Sequence, residues 1–100
     1  MSARVTVNRE KLSELCRRHG IRRLSLFGSV LRDDFRPDSD VDVLVEFAPS
    51  ARTGFAVVDM EDELTSLFGG HRADLVNAKY LNRHLRERIL GSAELQYAEG

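Results

Sequence analysis

The chain has 100 residues, 42% hydrophobic and 31% charged, with a formal net charge of −1. This is the composition of a globular domain, and it excludes a disordered segment and a purely electrostatic nucleic-acid binder. The sequence holds one cysteine, Cys16, which excludes an internal disulfide and a Cys-rich zinc site.

Asn8 is an N-cap, with Val7 and Leu12 at hydrophobic-staple spacing. Leu12, Leu15, Cys16 and His19 keep a helical period up to the stop at Gly20, which predicts a helix over 9–19. Residues 21–27, IRRLSLF, read as a short strand with Leu24 and Leu26 on one face. Gly28-Ser29 breaks it, and Val30 to Phe35 predicts a short helix before Pro37. Residues 41–47, VDVLVEF, alternate cleanly, with Val41, Val43, Val45 and Phe47 on one side of a strand. Phe55, Val57, Met60, Leu64, Leu67 and Phe68 line one face of a helix ending at Gly69-Gly70. Residues 72–76, RADLV, form a third strand. Leu81, Leu85 and Ile89 mark a last helix, started by Asn82 and stopped by Gly91. Ala93, Leu95 and Tyr97 alternate in a fourth strand. This order predicts a mixed α/β layer fold in one domain, residues 1–100.

The chemistry concentrates between Leu26 and Phe47. Asp40 and Asp42 stand two apart at the start of a strand. Period 2 places both carboxylates on one face, with Cα atoms ~6.5–7 Å apart. Asp is depleted in strands and like charges on one face repel, so the pair serves no structural purpose. Two such carboxylates suit a hard divalent cation. Gly28-Ser29 ends one strand and opens the short helix, where a missing Cβ, a hydroxyl and the free N–H groups of the first helical turn suit a phosphate. Arg32, one turn on, adds a positive charge toward the same phosphate. Asp74 completes a third carboxylate if its strand lies beside 41–47. Three carboxylates around two divalent metals are the arrangement for phosphoryl or nucleotidyl transfer.

Gly28, Ser29, Asp40, Asp42 and Asp74, in the run GSVLRDDFRPDSDVDVLVEF and the later RADLV, resemble the core of the minimal nucleotidyltransferases. These form a branch of the polymerase-β-like superfamily, and the likeness spans most of the chain. The resemblance implies a small mixed sheet flanked by helices. It also implies transfer of AMP from ATP, with Mg²⁺, to a tyrosine of a HEPN-type ribonuclease toxin that the protein silences as its antitoxin. Asp40, Asp42 and Asp74 are then the metal-binding and catalytic carboxylates, with Asp74 activating the acceptor hydroxyl. Gly28, Ser29, Arg32 and Ser39 would hold the nucleotide. Val30 and Asp33 depart from many branches, which carry a bulky or basic residue and a Gly there.

Charge is unevenly spread beneath the near-zero total. Residues 1–36 carry nine Lys/Arg against four Asp/Glu, residues 37–70 one against eight, and residues 71–100 five against four. Most of these are read as solvated charges: Asp33, Asp34 and Asp38 around the motif, the run Asp59, Glu61, Asp62 and Glu63, and the cluster Arg17, Arg18, Arg22 and Arg23. Cys16 is read as core, Tyr80 and Tyr97 as packing residues, and His19, His71 and His84 share no zinc spacing. No apolar run reaches the ~18 residues of a membrane span and no signal-peptide apolar region is present, so a cytoplasmic protein is expected. Direct nucleic-acid binding is not expected, and a homo- or hetero-oligomer is compatible with the reading. Two rival functions are a non-catalytic antitoxin that occludes its toxin, and a transferase acting on RNA or a small molecule. The length leaves no residues for an acceptor-shaping second domain, which ranks the small-molecule reading last.

Overall fold

The computed structural model describes residues 5–49 and 56–99. Helix α1 (Arg9–His19) starts at Asn8, whose side chain accepts from the Lys11 N–H at 3.1 Å. It ends at Gly20, where φ of 71° gives the left-handed cap that only glycine adopts without strain. Strand β1 (Ile21–Phe27) follows, and then a single 3₁₀ turn, Gly28–Leu31. After an irregular loop come β2 (Val41–Phe47), α2 (Ala56–Leu67) and β3 (Ala73–Asn77). A second 3₁₀ turn (Ala78–Tyr80), α3 (Arg83–Ser92) and β4 (Glu94–Ala98) complete the order.

The sheet runs β3-β2-β1-β4. β1 is antiparallel to β2 and β4, while β2 and β3 are parallel. The C-terminal end of β1 and the N-terminal ends of β2, β3 and β4 therefore share one end of the sheet. Leu24 pairs with Val45 and Leu26 with Val43, which stacks the apolar side chains in register on one face. Leu12, Leu15 and Cys16 of α1 and Met60, Leu64 and Phe68 after and within α2 close over that face. Truncating one of these fully buried leucines costs about 2–5 kcal/mol. On the opposite face Ser25 and Leu44, paired across β1 and β2, are also buried.

Several expectations need correction. The helix expected over Val30–Phe35 is the earlier 3₁₀ turn, because Arg32 is already extended (φ −115°, ψ 163°) and the chain turns there toward β2. The third strand begins one residue later than predicted, since the Arg72 carbonyl is used to accept from Val41 N–H. The last helix runs through Gly91 to Ser92, and Leu81 precedes its Asn82 cap. Its predicted 93–97 alternation fails in β4: the register jumps from Leu24↔Tyr97 to Ser25↔Leu95, leaving Gln96 as an extra residue. The bulge turns Leu95 outward to 53% exposure while Tyr97 packs on the core. Tyr80 does not pack, being 77% exposed. Phe55 lies outside the described residues. Among the described residues, no helix is long and apolar enough to cross a membrane.

Candidate active site

Topology brings the two halves of the motif together. Phe27, at the end of β1, pairs with Asp42, the second residue of β2. Asp42 in turn pairs with Asp74, the second residue of β3. The next residue along β1, Gly28, lies against the Asp42 carboxylate: a Cβ there would overlap Asp42 Oδ2 and sit 3.2 Å from its Cγ. Gly28 also adopts φ +78°, a conformation strained for any other residue. Both its backbone angle and its lack of a side chain are thus required.

Asp42 is half-buried, whereas Asp40 and Asp74 are exposed. Burial pushes the Asp42 carboxyl above its ordinary value, and the charges of Asp74 and Asp40 push the same way. Arg32 opposes them. Its guanidinium Nε sits 3.2 Å from Asp34 Oδ1 at the surface, so Asp34 competes for it. This is an electrostatically unfavourable gathering of carboxylates that a cation would relieve. Among the described residues no three His, Cys, Asp or Glu side chains already close into a ligand cluster. The donor set nonetheless fits a hard divalent ion, being carboxylate oxygens on neighbouring strand starts with the space beside Asp42 kept open by Gly28.

A cavity of about 720 Å³ adjoins Gly28, Leu31 and Arg32 and reaches Ala93 and Glu94 at the start of β4. That volume is within the ~300–1,000 Å³ of small-molecule sites. Ser29 sits inside the 3₁₀ turn, where its carbonyl accepts from Arg32 N–H at 2.9 Å. Ser39 closes the preceding loop: its Oγ accepts from Arg36 N–H at 3.0 Å, and its N–H donates to the Arg36 carbonyl at 3.0 Å.

Two residues that sequence reasoning did not single out bond the segments beside the carboxylates. Thr65 of α2 accepts from Ala73 N–H through Oγ1 at 3.0 Å and so fixes the start of β3. His71 bonds the Ser39 carbonyl through Nδ1 at 2.9 Å. Neither carries a local sequence signal, because both act across the fold.

Residues 9–95 match the nucleotidyltransferase domain family, and the chain belongs to it. The chain is similar to the protein adenylyltransferase MntA of Thermococcus cleftensis, at 37% identity over 77% of this chain and 76% of that one. It resembles a solved minimal nucleotidyltransferase at 41% identity, with TM-score 0.71 and 85% of each chain covered. It shares its fold with a chain from the complex of tri-AMPylated Shewanella oneidensis HEPN toxin and MNT antitoxin. There the TM-score is 0.63 at 20% identity, over 91% of this chain and 70% of that one. The expected fold of a small mixed sheet with flanking helices is what the structure has.

Proposed function

We propose that this nucleotidyltransferase is the antitoxin of a HEPN-type toxin and transfers AMP from ATP to a tyrosine hydroxyl of that toxin. The observation that carries the reading is Asp42, which touches Gly28 on one side and pairs with Asp74 on the other. One residue thereby joins the phosphate-side motif to the carboxylate set. The adenylyltransferase name of the MntA relative and the AMPylated toxin in the fold neighbour support the choice of acceptor.

In this reading Gly28, Ser29, Arg32 and Ser39 hold the nucleotide, with Arg32 supplying positive charge toward the phosphates and Ser39 also closing the loop before Asp40. Asp40, Asp42 and Asp74 would hold Mg²⁺, which when bound supplies Lewis-acid stabilisation of charge on the phosphate oxygens. Asp74 accepts the proton of the tyrosine hydroxyl. The tyrosine oxygen forms a bond to the α-phosphorus as the α–β phosphoanhydride bond breaks, and pyrophosphate leaves. Positioning and electrostatics carry the rate.

The test is to incubate the chain and its toxin with ATP labelled on the α- or the γ-phosphate. Label on the toxin from α-labelled ATP only is the expected result. Label from the γ-phosphate, or none from either, contradicts the reading.

A further inference from the structure

Asp40 precedes β2 and lies outside its pairing with β1 and β3. Both peptides that flank it are nevertheless tied down, and both ties lead to the same two residues before β3. On its N-terminal side the Ser39 carbonyl bonds His71 Nδ1 at 2.9 Å. On its C-terminal side Val41 N–H donates to the Arg72 carbonyl at 2.8 Å. A carbonyl only accepts, so His71 carries its proton on Nδ1 in this contact. The half-buried imidazole is braced from behind by Phe35, with ring centroids 4.6 Å apart and planes at 37°. Arg36 and Ser39 close the turn between Phe35 and Asp40 by their two mutual hydrogen bonds. The loop from 35 to 39 is thus one unit, seated on His71.

We infer that His71 is a positioning residue: with the Arg72 carbonyl it fastens Asp40 to the start of β3 and so sets it against Asp42 and Asp74. The main-chain tie at Arg72 persists in any variant, but alone it leaves the Ser39–Asp40 peptide free to rotate. The His71 bond removes that freedom. Its protein-side effect is on how well the carboxylates are pre-arranged, and this inference rests on the metal-holding role proposed above for them. Outer contacts of this kind change metal affinity by about tenfold to a hundredfold.

The experiment titrates Mn²⁺ alone into the folded chain and follows bound metal by electron paramagnetic resonance, with thermal melts beside it. His71→Ala is expected to weaken Mn²⁺ binding at least about tenfold. His71→Asn, whose amide nitrogen lies near the place of Nδ1, is expected to recover most of that loss. His71→Phe keeps a ring against Phe35 but has no donor, and is expected to bind as weakly as the Ala variant at near wild-type Tm. That variant separates the hydrogen bond from packing should His71→Ala fold poorly. Unchanged Mn²⁺ affinity in His71→Phe, or an Asn variant no better than it, overturns the inference while leaving the carboxylate reading intact. A wild-type chain that binds no Mn²⁺ overturns the metal-holding role of the carboxylates and this inference with it.

Discussion

The Asp42 carboxylate packs against Gly28 so closely that the site has no room for a Cβ at position 28. Gly28→Ala therefore meets two penalties at once. The left-handed backbone at φ +78° costs a non-glycine residue about 1–2 kcal/mol. The added methyl must also displace the Asp42 side chain or the β1–β2 pairing. We expect Tm to fall by roughly 5–15 °C and binding of a non-hydrolysable ATP analogue to disappear. A thermal melt and a titration check this, and a variant unchanged in both would show that the contact is not constraining.

Removing the Asp42 charge should separate stability from activity. The folded protein raises the Asp42 pKa, so protonation favours the folded state. Its contribution to stability is full below the unfolded value of 3.8 and is lost as pH rises through the higher folded value. At neutral pH the ionised group is a net burden. Asp42→Asn should thus be more stable than wild type at neutral pH, with the gap closing in acid, as read by urea unfolding across pH. AMP transfer should fall by at least about a hundredfold. A variant that loses both stability and activity would mean that Asp42 is a structural residue.

The local signals account for what was legible in the sequence. Asn8 and Gly20 cap α1 as expected, and the alternation in 41–47 marks β2 to the residue, because caps and period-2 patterns act over a few neighbours. The candidate site residues were legible because Asp-x-Asp at a strand start and Gly-Ser at a strand end break local rules. The irregular segments were not. The bulge at Gln96 depends on how β4 meets β1, and the early end of the 3₁₀ turn depends on where the loop must deliver Asp40. Thr65 and His71 were invisible for the same reason, since their partners lie 8 and 32 residues away.

The pair that ties the two helices of the core face makes a weaker, salt-sensitive prediction. Arg18 reaches Glu63 with both terminal nitrogens, at 3.0 and 2.9 Å, and His19 Nε2 stands 3.5 Å away, too long for a good hydrogen bond. Partial burial alone would raise the Glu63 pKa, but the two hydrogen bonds from Arg18 and its charge outweigh it and lower it. The pair's contribution is then present above the unfolded value of 4.5 and is lost as pH falls through the folded one. Because Arg18 is 53% exposed, solvent screens the pair. Glu63→Gln should cost no more than about 1 kcal/mol at low salt and less at high salt. Denaturant curves at two ionic strengths measure it.

Cys16 should be chemically silent in the native state. It is fully buried on the core face of α1, and burial pushes its thiol up to about 12, outweighing the opposite pull of the Arg17 charge. The thiolate is the reactive form, so modification requires opening of the fold. A thiol reagent should label the chain only at the rate of unfolding. Rapid labelling at neutral pH without unfolding would show that the α1 packing is looser than described.

The most direct measurement of the central claim is the mass of the toxin after incubation with ATP, Mg²⁺ and this chain. The account predicts that wild type adds one or more adenylyl groups, located on tyrosine by fragmentation, and that Asp42→Asn adds none. A toxin that is silenced with its mass unchanged would contradict the account and leave occlusion as the mechanism.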